Sequence, residues 1–296
     1  MKGVINILKP PGMTSHDVVT FLRRLLKIKK IGHSGTLDPA AAGVLPIFIG
    51  KATKAIEFFV DDDKEYIAEI RLGITTDTGD FEGNITNINP VKIDRFKFKK
   101  TIEQFTGDVW QVPPMYSAVR YKGRKLYEYA RQGVVIQRKP RKVKIYSIDL
   151  LDYDEKTAIV RITCSKGTYI RTLCEDIGKE LGCGACLSCL VRVRSGQFII
   201  EKSATLEEIQ QNYIGGIPEK VMIPIDKCFK HMPMVRLHRE DRSFFIKGKM
   251  LFGDFEHLKD HVDKYVRVYN FEEFLGIAIV KNIKEKTAIK IFKSLN

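Results

Sequence analysis

Gly32-His33-Ser34-Gly35-Thr36-Leu37-Asp38-Pro39-Ala40-Ala41-Ala42-Gly43-Val44-Leu45-Pro46-Ile47-Phe48-Ile49-Gly50 holds a single carboxylate, Asp38, set among small residues. Pro39 biases Asp38 toward an extended backbone. Gly35, Ala40, Ala41, Ala42 and Gly43 would let a large planar ligand approach the main chain closely. An acid in this setting can serve as a nucleophile, a base or a metal ligand, although Asp-Pro alone is also an ordinary turn initiator. Two familiar motifs do not fit. A nucleophile elbow needs a second Gly where Thr36 stands. A P-loop needs four residues before Gly-Lys, whereas six separate Gly43 from Gly50-Lys51, and Ala52 replaces the Ser/Thr.

Working outward, the 296 residues suffice for one sizeable core and a small extra domain. No apolar run reaches the roughly 18 residues of a membrane span. The N-terminus lacks the apolar length and cleavage site of a signal peptide, so a cytoplasmic protein is expected. The formal net charge of +14 suggests a polyanionic partner. That charge is concentrated. From Met115 to Tyr146 there are ten Lys/Arg, among them Arg120, Lys122, Arg124, Lys125 and Arg131, against one acid, Glu128. Five of the eleven tyrosines lie in the same stretch. Cations neutralise phosphates, and interleaved rings stack on bases or pack beneath the backbone, so RNA contact is expected here. Cys183, Cys186 and Cys189 have metal-ligand spacing but no customary second pair, and read as reduced thiols rather than a metal site.

Periodicity gives a coarse outline. Asp17 to Leu26 places Val18, Phe21, Leu22 and Leu25 on one helical face, preceded by capping residues from Thr14. Tyr66 to Leu72 alternates as a strand, Thr157 to Cys164 is a second, and Thr172 to Leu181 a helix. Thr205 and Glu208 form a capping box for a helix through about Gln211. Residues 212–234 lose periodicity and accumulate Gly and Pro, which predicts a linker. Short strands at Tyr265 to Tyr269, Phe274 to Lys281 and Thr287 to Phe292 predict a small β-barrel. The larger part, with strands and helices intermixed, predicts an α+β mixed-sheet fold.

Gly-His-Ser-Gly-Thr-Leu-Asp-Pro followed by Gly-Val-Leu strongly resembles the catalytic motif of the bacterial TruB pseudouridine synthases. The resemblance continues in order through Lys9-Pro10-Pro11-Gly12-Met13-Thr14-Ser15-His16-Asp17, Lys64-Glu65-Tyr66, and Thr76-Asp77-Thr78. It resumes at Gln111 to Ala118, Lys125 to Arg131 and Ser165-Lys166-Gly167-Thr168-Tyr169-Ile170-Arg171. It implies a pseudouridine synthase catalytic domain over about 1–230, an RNA-gripping insertion over about 108–146, and a PUA-like RNA-binding domain over 231–296. It further implies conversion of the uridine at tRNA position 55, in the T arm, to pseudouridine, without metal or cofactor, by a monomer needing no protein partner. Asp38 would start cleavage of the glycosidic bond, by attack on ribose C1′ or removal of the C2′ proton. Arg171 would hold Asp38 ionised through a bidentate pair; a cation at a helix start needs such compensation. The target base must be flipped out of its loop. Tyr66 would stack on it and handle a proton, His33 would enter the vacated position, and Tyr169 and Leu190 would line the pocket.

Two other readings use the same features: a tRNA-binding or folding protein with secondary catalysis, and a relative that modifies another RNA. Asp38 with Arg171 argues against a pure binder, and the full insertion from Gln111 to Arg131 argues for the stand-alone bacterial form.

Overall fold

The computed structural model describes residues 1–283 and 285–295. β1 (Gly3–Lys9) is almost wholly buried and leads to α1 (Ser15–Leu26). Thr14 Oγ1 accepts from the Asp17 amide at 3.0 Å while the Asp17 carboxylate accepts from the Thr14 amide at 2.9 Å, a reciprocal cap that fixes where the helix begins. β2 (Ile31–His33) and β3 (Ala42–Ile49) follow, and both β1 and β2 pair antiparallel with β3. The loop between β2 and β3 carries Asp38. β3 reads as a continuous apolar run because both of its faces are covered. Leu45, Ile47 and Ile49 join Ile5, Ile7 and the α1 residues Val18 and Leu22 in one core, while Val44 and Phe48 enter another with Val4 and Phe59.

β4 (Lys64–Leu72) alternates buried and half-buried residues along its whole length. The hairpin β5 (Ile74–Thr76) and β6 (Ile85–Ile88), α2 (Arg95–Glu103) and β7 (Gly107–Gln111) come next. Asp94 caps α2 by accepting from the Lys97 amide at 2.7 Å. The basic insertion is a short hairpin, β8 (Arg120–Tyr121) with β9 (Arg124–Lys125), followed by α3 (Leu126–Ala130). Its turn residues Lys122 and Gly123 both have positive φ, +47° and +83°, as a tight two-residue hairpin demands. β10 (Arg141–Tyr153), β11 (Thr157–Cys164), α4 (Ile170–Leu181), β12 (Ala185–Ser195), β13 (Phe198–Ile199) and α5 (Leu206–Ile214) complete this part.

The main sheet has nine strands, ordered β1-β3-β12-β4-β11-β10-β7, with β2 on β3 and β13 on β12. Only β3 and β12 pair parallel, so the sheet is mixed and the class is α+β. Its largest core joins Tyr66, Ala68 and Ile70 of β4 and Val160 and Ile162 of β11 to Leu173 and Ile177 of α4.

At the C-terminus, β14 (Met234–Leu237), α6 (Asp241–Ile246), β15 (Met250–Phe252), β16 (Tyr265–Asn270), β17 (Glu273–Ile283) and β18 (Lys286–Ser294) build the small β unit that the short strands predicted. Its five strands run in the order β14-β16-β17-β18-β15 around Phe245, Val266, Val268 and Val280. The expected linker needs correction. α5 continues to Ile214, and residues 221–229 are packed rather than free: Ile223 exchanges backbone hydrogen bonds with Val4, and Ile225, Cys228 and Phe229 are buried. They share a core with Val4 and Phe48 on one side and Phe274, Ile277 and Leu295 on the other, with Phe58 edge-on to both Phe229 and Tyr265. Pro224 interrupts helical periodicity there without removing the apolar side chains that drive burial. No helix among the described residues is long and apolar enough to cross a membrane.

Candidate active site

Asp38 sits on a loop that is pinned from several directions. Ser15 Oγ donates to the Leu37 carbonyl at 3.1 Å and accepts from the Leu37 amide at 2.9 Å. The Pro39 carbonyl accepts from the Gly12 amide at 2.9 Å and from Lys9 Nζ at 3.2 Å. Lys9 is fully buried and also donates to the Pro10 and Met13 carbonyls, each at 2.7 Å. Burial pushes its ammonium down to about 8, against the pull of Asp38 in the other direction. The motif flanking Asp38 therefore positions a carboxylate through backbone contacts, while the carboxylate itself stays half-exposed.

Arg171 lies in the first turn of α4 and is 5% exposed. Its Nη2 reaches Asp38 Oδ2 at 3.0 Å and donates to the Tyr116 carbonyl at 2.7 Å. Its Nη1 reaches Asp80 Oδ2 at 3.4 Å and the Thr78 carbonyl at 3.3 Å. The expected bidentate pair is thus corrected: the guanidinium is shared between two carboxylates and offers Asp38 one nitrogen. A cation buried at a helix start requires this much compensation. Asp80 is held in turn by Thr78, whose hydroxyl donates to Asp80 Oδ1 at 2.6 Å.

Tyr66 is buried on the core face of β4, and that burial raises its phenol above the usual range, with Arg192 opposing the shift and Asp38 adding to it. Tyr66 is therefore a neutral phenol at neutral pH. Tyr169 is the N-cap of α4, and its backbone is clamped by the buried Gln111 amide, which donates to the Tyr169 carbonyl at 3.2 Å and accepts from its amide at 3.0 Å. Burial raises the Tyr169 phenol, and both Asp38 and Arg171 lie close enough to act on it. Leu190 packs on the same core as Tyr66 and Leu37. His33, on β2, has a buried Nδ1 without a hydrogen-bond partner, and burial lowers its imidazole, with Arg192 and His16 adding to the effect. Asp38, Arg171, Tyr66, Tyr169 and Leu190 thus converge, and His33 stands at the start of the same loop.

In the basic hairpin, Arg120, Lys122, Arg124 and Arg131 are exposed and Lys125 is half-buried. The tyrosines here carry cations. Arg124 lies 4.7 Å from the Tyr129 ring, Lys122 5.6 Å from Tyr121, and Tyr127 has Lys125 at 5.4 Å and Arg131 at 5.5 Å. The rings hold the cations in a fixed array, and the Tyr116 carbonyl ties the base of this insertion to Arg171. Cys183 and Cys186 are buried and Cys189 is exposed along the same strand region.

Sequence reading assigned no role to Asp80, Arg192, Gln111 or Ser15. Asp80 stands two residues after Thr78 and Ser15 stands inside the N-terminal motif, so motif position could have drawn attention to both. Gln111 opens the Gln111 to Ala118 motif and had the same signal, whereas Arg192 had none beyond being a cation inside β12.

Comparison with known proteins accords with this geometry. Residues 23–170 match the N-terminal domain of TruB family pseudouridylate synthases, and residues 171–230 match the tRNA pseudouridylate synthase B C-terminal domain. The chain is 44% identical to the tRNA pseudouridine synthase B of Alkaliphilus oremlandii, over 95% of this chain and 94% of that protein. It is also 44% identical to that of Clostridium kluyveri, over 99% and 100%. Among solved structures, a chain of an H/ACA RNP bound to a substrate RNA containing 2′-deoxyuridine superposes with a TM-score of 0.74 at 25% identity, over 99% of this chain and 85% of that one. A chain of a Cbf5-Nop10-Gar1 complex superposes equally well at 28% identity, with the same coverage. A mixed sheet with its acid on the loop between β2 and β3 is here the scaffold of a pseudouridylate synthase. Within that class, the chain belongs to the TruB family.

Proposed function

We propose that the protein converts the uridine at position 55 in the T arm of tRNA to pseudouridine, acting in the cytoplasm as a monomer without metal, cofactor or protein partner. The observation that carries this reading is the half-exposed Asp38 carboxylate 3.0 Å from the buried Arg171 guanidinium, on a loop fixed by its backbone. The names of the relatives, all tRNA pseudouridine synthase B, support the substrate. The intact basic insertion supports the stand-alone form. In this scheme residues 1–230 form the catalytic domain, the insertion over about 108–146 grips the T arm, and residues 231–296 add a PUA-like RNA-binding surface.

The reaction is an isomerisation, so nothing need be supplied or removed. Asp38 starts it, at C1′ or at the C2′ proton, and the bond from C1′ to N1 breaks. The detached uracil carries the electron pair as an anion, turns, and bonds to C1′ through C5 as the Asp38–C1′ bond breaks or as the proton taken from C2′ returns to it; the C5 proton leaves and N1 ends protonated. Arg171 keeps Asp38 aimed through one ion-pair contact. Tyr66 supplies a flat face for the flipped base and a phenol that can exchange a proton with it. Tyr169 and Leu190 line the pocket, His33 occupies the place the base leaves, and Arg120, Lys122, Arg124, Lys125 and Arg131 bind phosphates.

The test is incubation with unmodified tRNA transcripts followed by mapping of pseudouridine by carbodiimide adduct stops. A single modified site in the T loop, absent with Asp38→Asn, is the expected result. Modification elsewhere, or undiminished modification by Asp38→Asn, would reject it.

A further inference from the structure

A buried guanidinium usually faces a carboxylate, because stripping water from an uncompensated cation is costly. Among the described residues Arg192 is the bulkiest fully buried side chain, 1% exposed, and its hydrogen bonds go to carbonyls instead. Nε donates to Val44 O at 2.7 Å, Nη2 to Gly35 O at 3.1 Å and Nη1 to Thr36 O at 3.4 Å. Val44 belongs to β3; Gly35 and Thr36 belong to the loop that carries Asp38. Arg192 is also the direct cross-strand partner of Tyr66 between β12 and β4, and its positive charge opposes the upward push of burial on the Tyr66 phenol. Its backbone is fixed with equal closeness. Gly43 pairs with it across β3 and β12 at φ +113°, and a Cβ on Gly43 would lie 2.2 Å from the Arg192 carbonyl oxygen.

We propose that Arg192 is a positioning residue that locks the Asp38 loop and the Tyr66 hydroxyl into a single relative geometry, an inference that rests on the roles given to Asp38 and Tyr66 above. The planar fork of N–H donors reaches a strand and a loop at once, on the strand position that faces Tyr66. A lysine ammonium radiates three donors from one point and cannot span those acceptors. A cation facing the phenol favours its oxygen turned inward and its proton turned away, which is what a group exchanging a proton with the flipped base needs. Arg171 acts on the Asp38 carboxylate; Arg192 acts on the main chain beneath it and on the tyrosine across the sheet.

Arg192→Lys is measured in two ways. Single-turnover pseudouridine formation at saturating tRNA should fall about 100-fold, with the tRNA Kd unchanged within threefold. Amide hydrogen exchange over residues 34–38 should rise at least tenfold while β16 and β17 exchange as before. In a Tyr66→Phe background the same substitution should cost less than tenfold, because one target of Arg192 is already gone. Gly35→Val approaches the contact from the loop side, where an added Cβ would lie 3.6 Å from Arg192 Nη1 and the valine methyls would reach further still. It should reproduce the faster exchange and a rate loss of about tenfold, and it is the deciding variant if Arg192→Lys does not fold. Unchanged exchange over 34–38, a near wild-type rate, or a loss in the Tyr66→Phe background equal to that in the wild type would each overturn the inference. A wild-type chain that forms no pseudouridine would instead overturn the functional reading, and the exchange measurement would still decide whether Arg192 positions the loop.

Discussion

Arg171 Nη2 stands 3.0 Å from Asp38 Oδ2, and the two ends of this ion pair differ in exposure: the arginine side chain is 6% accessible, the aspartate 46%. The buried end must be satisfied from within the protein, and Asp80, Thr78 and Tyr116 complete it. The exposed end is free to meet a ligand. Removing the carboxylate therefore separates chemistry from affinity. Asp38→Asn should reduce pseudouridine formation to background while the tRNA Kd stays within a few-fold, since affinity is spread over many phosphate contacts. Tritium release from C5-labelled uridine together with filter binding checks both halves.

Asp80 compensates the other half of the guanidinium. Asp80→Asn keeps shape and hydrogen bonding but lets Arg171 drift toward Asp38. A rate loss of about 10- to 100-fold is expected, on the order of 1.4–2.7 kcal/mol of transition-state stabilisation. Single-turnover kinetics at saturating tRNA measures it, and a wild-type rate would show that Arg171 needs no second carboxylate.

Tyr66→Phe keeps a ring for stacking and loses the hydroxyl. Rate should drop by at least 100-fold with little change in Kd. Because burial raises the Tyr66 phenol, wild-type activity should show no loss assignable to its ionisation as pH climbs from 7 to 9. A rate that falls along a tyrosine titration below pH 9 would contradict this placement.

Lys9 gives a prediction in stability. Its folded-state value of about 8 lies below the ordinary 10.5. Below pH 8 it is charged in both states, and the full cost of burying the ammonium is present. Between about 8 and 10.5 the unfolded chain binds more protons, so stability rises with pH through this group. Relative to Lys9→Met, wild type should gain about 1–2 kcal/mol between pH 7.5 and 9.5 in urea unfolding. A constant difference would mean that Lys9 keeps its ordinary value.

The cation array on the tyrosines separates charge from placement. Tyr129→Phe keeps a ring beneath Arg124, whereas Tyr129→Leu does not. The leucine variant should bind tRNA about two- to fivefold more weakly, as the loss of about 0.5–1 kcal/mol implies, with an unchanged slope of log affinity against log salt. Neutralising Arg120, Lys122, Arg124 and Lys125 together should instead flatten that slope by about three or four. Point substitutions suit this test better than truncation, because Phe274, Ile277 and Leu295 of the C-terminal unit complete a core with Val4 and Phe48.

What the amino-acid order determined by itself is whatever depends on near neighbours. Thr14 with Asp17 and Thr205 with Glu208 set helix starts because a cap spans three residues. The alternation from Tyr66 to Leu72 revealed most of the strand that runs from Lys64 to Leu72, since successive side chains point to opposite sides. The concentration of cations and rings from Met115 to Tyr146, and the small residues around Asp38, are likewise legible from the order of residues alone. Tertiary structure alone decided how distant groups share partners. Arg171 divides its guanidinium between Asp38 and Asp80, with the Thr78 carbonyl it touches 93 residues away. Arg192 reaches Gly35 across 157 residues. Residues 221–229, which local pattern made a linker, became part of a core because apolar side chains bury wherever the folded chain presents a matching surface. Such contacts have no spacing signature: a guanidinium finds its acceptors only after β12 has been laid between β3 and β4.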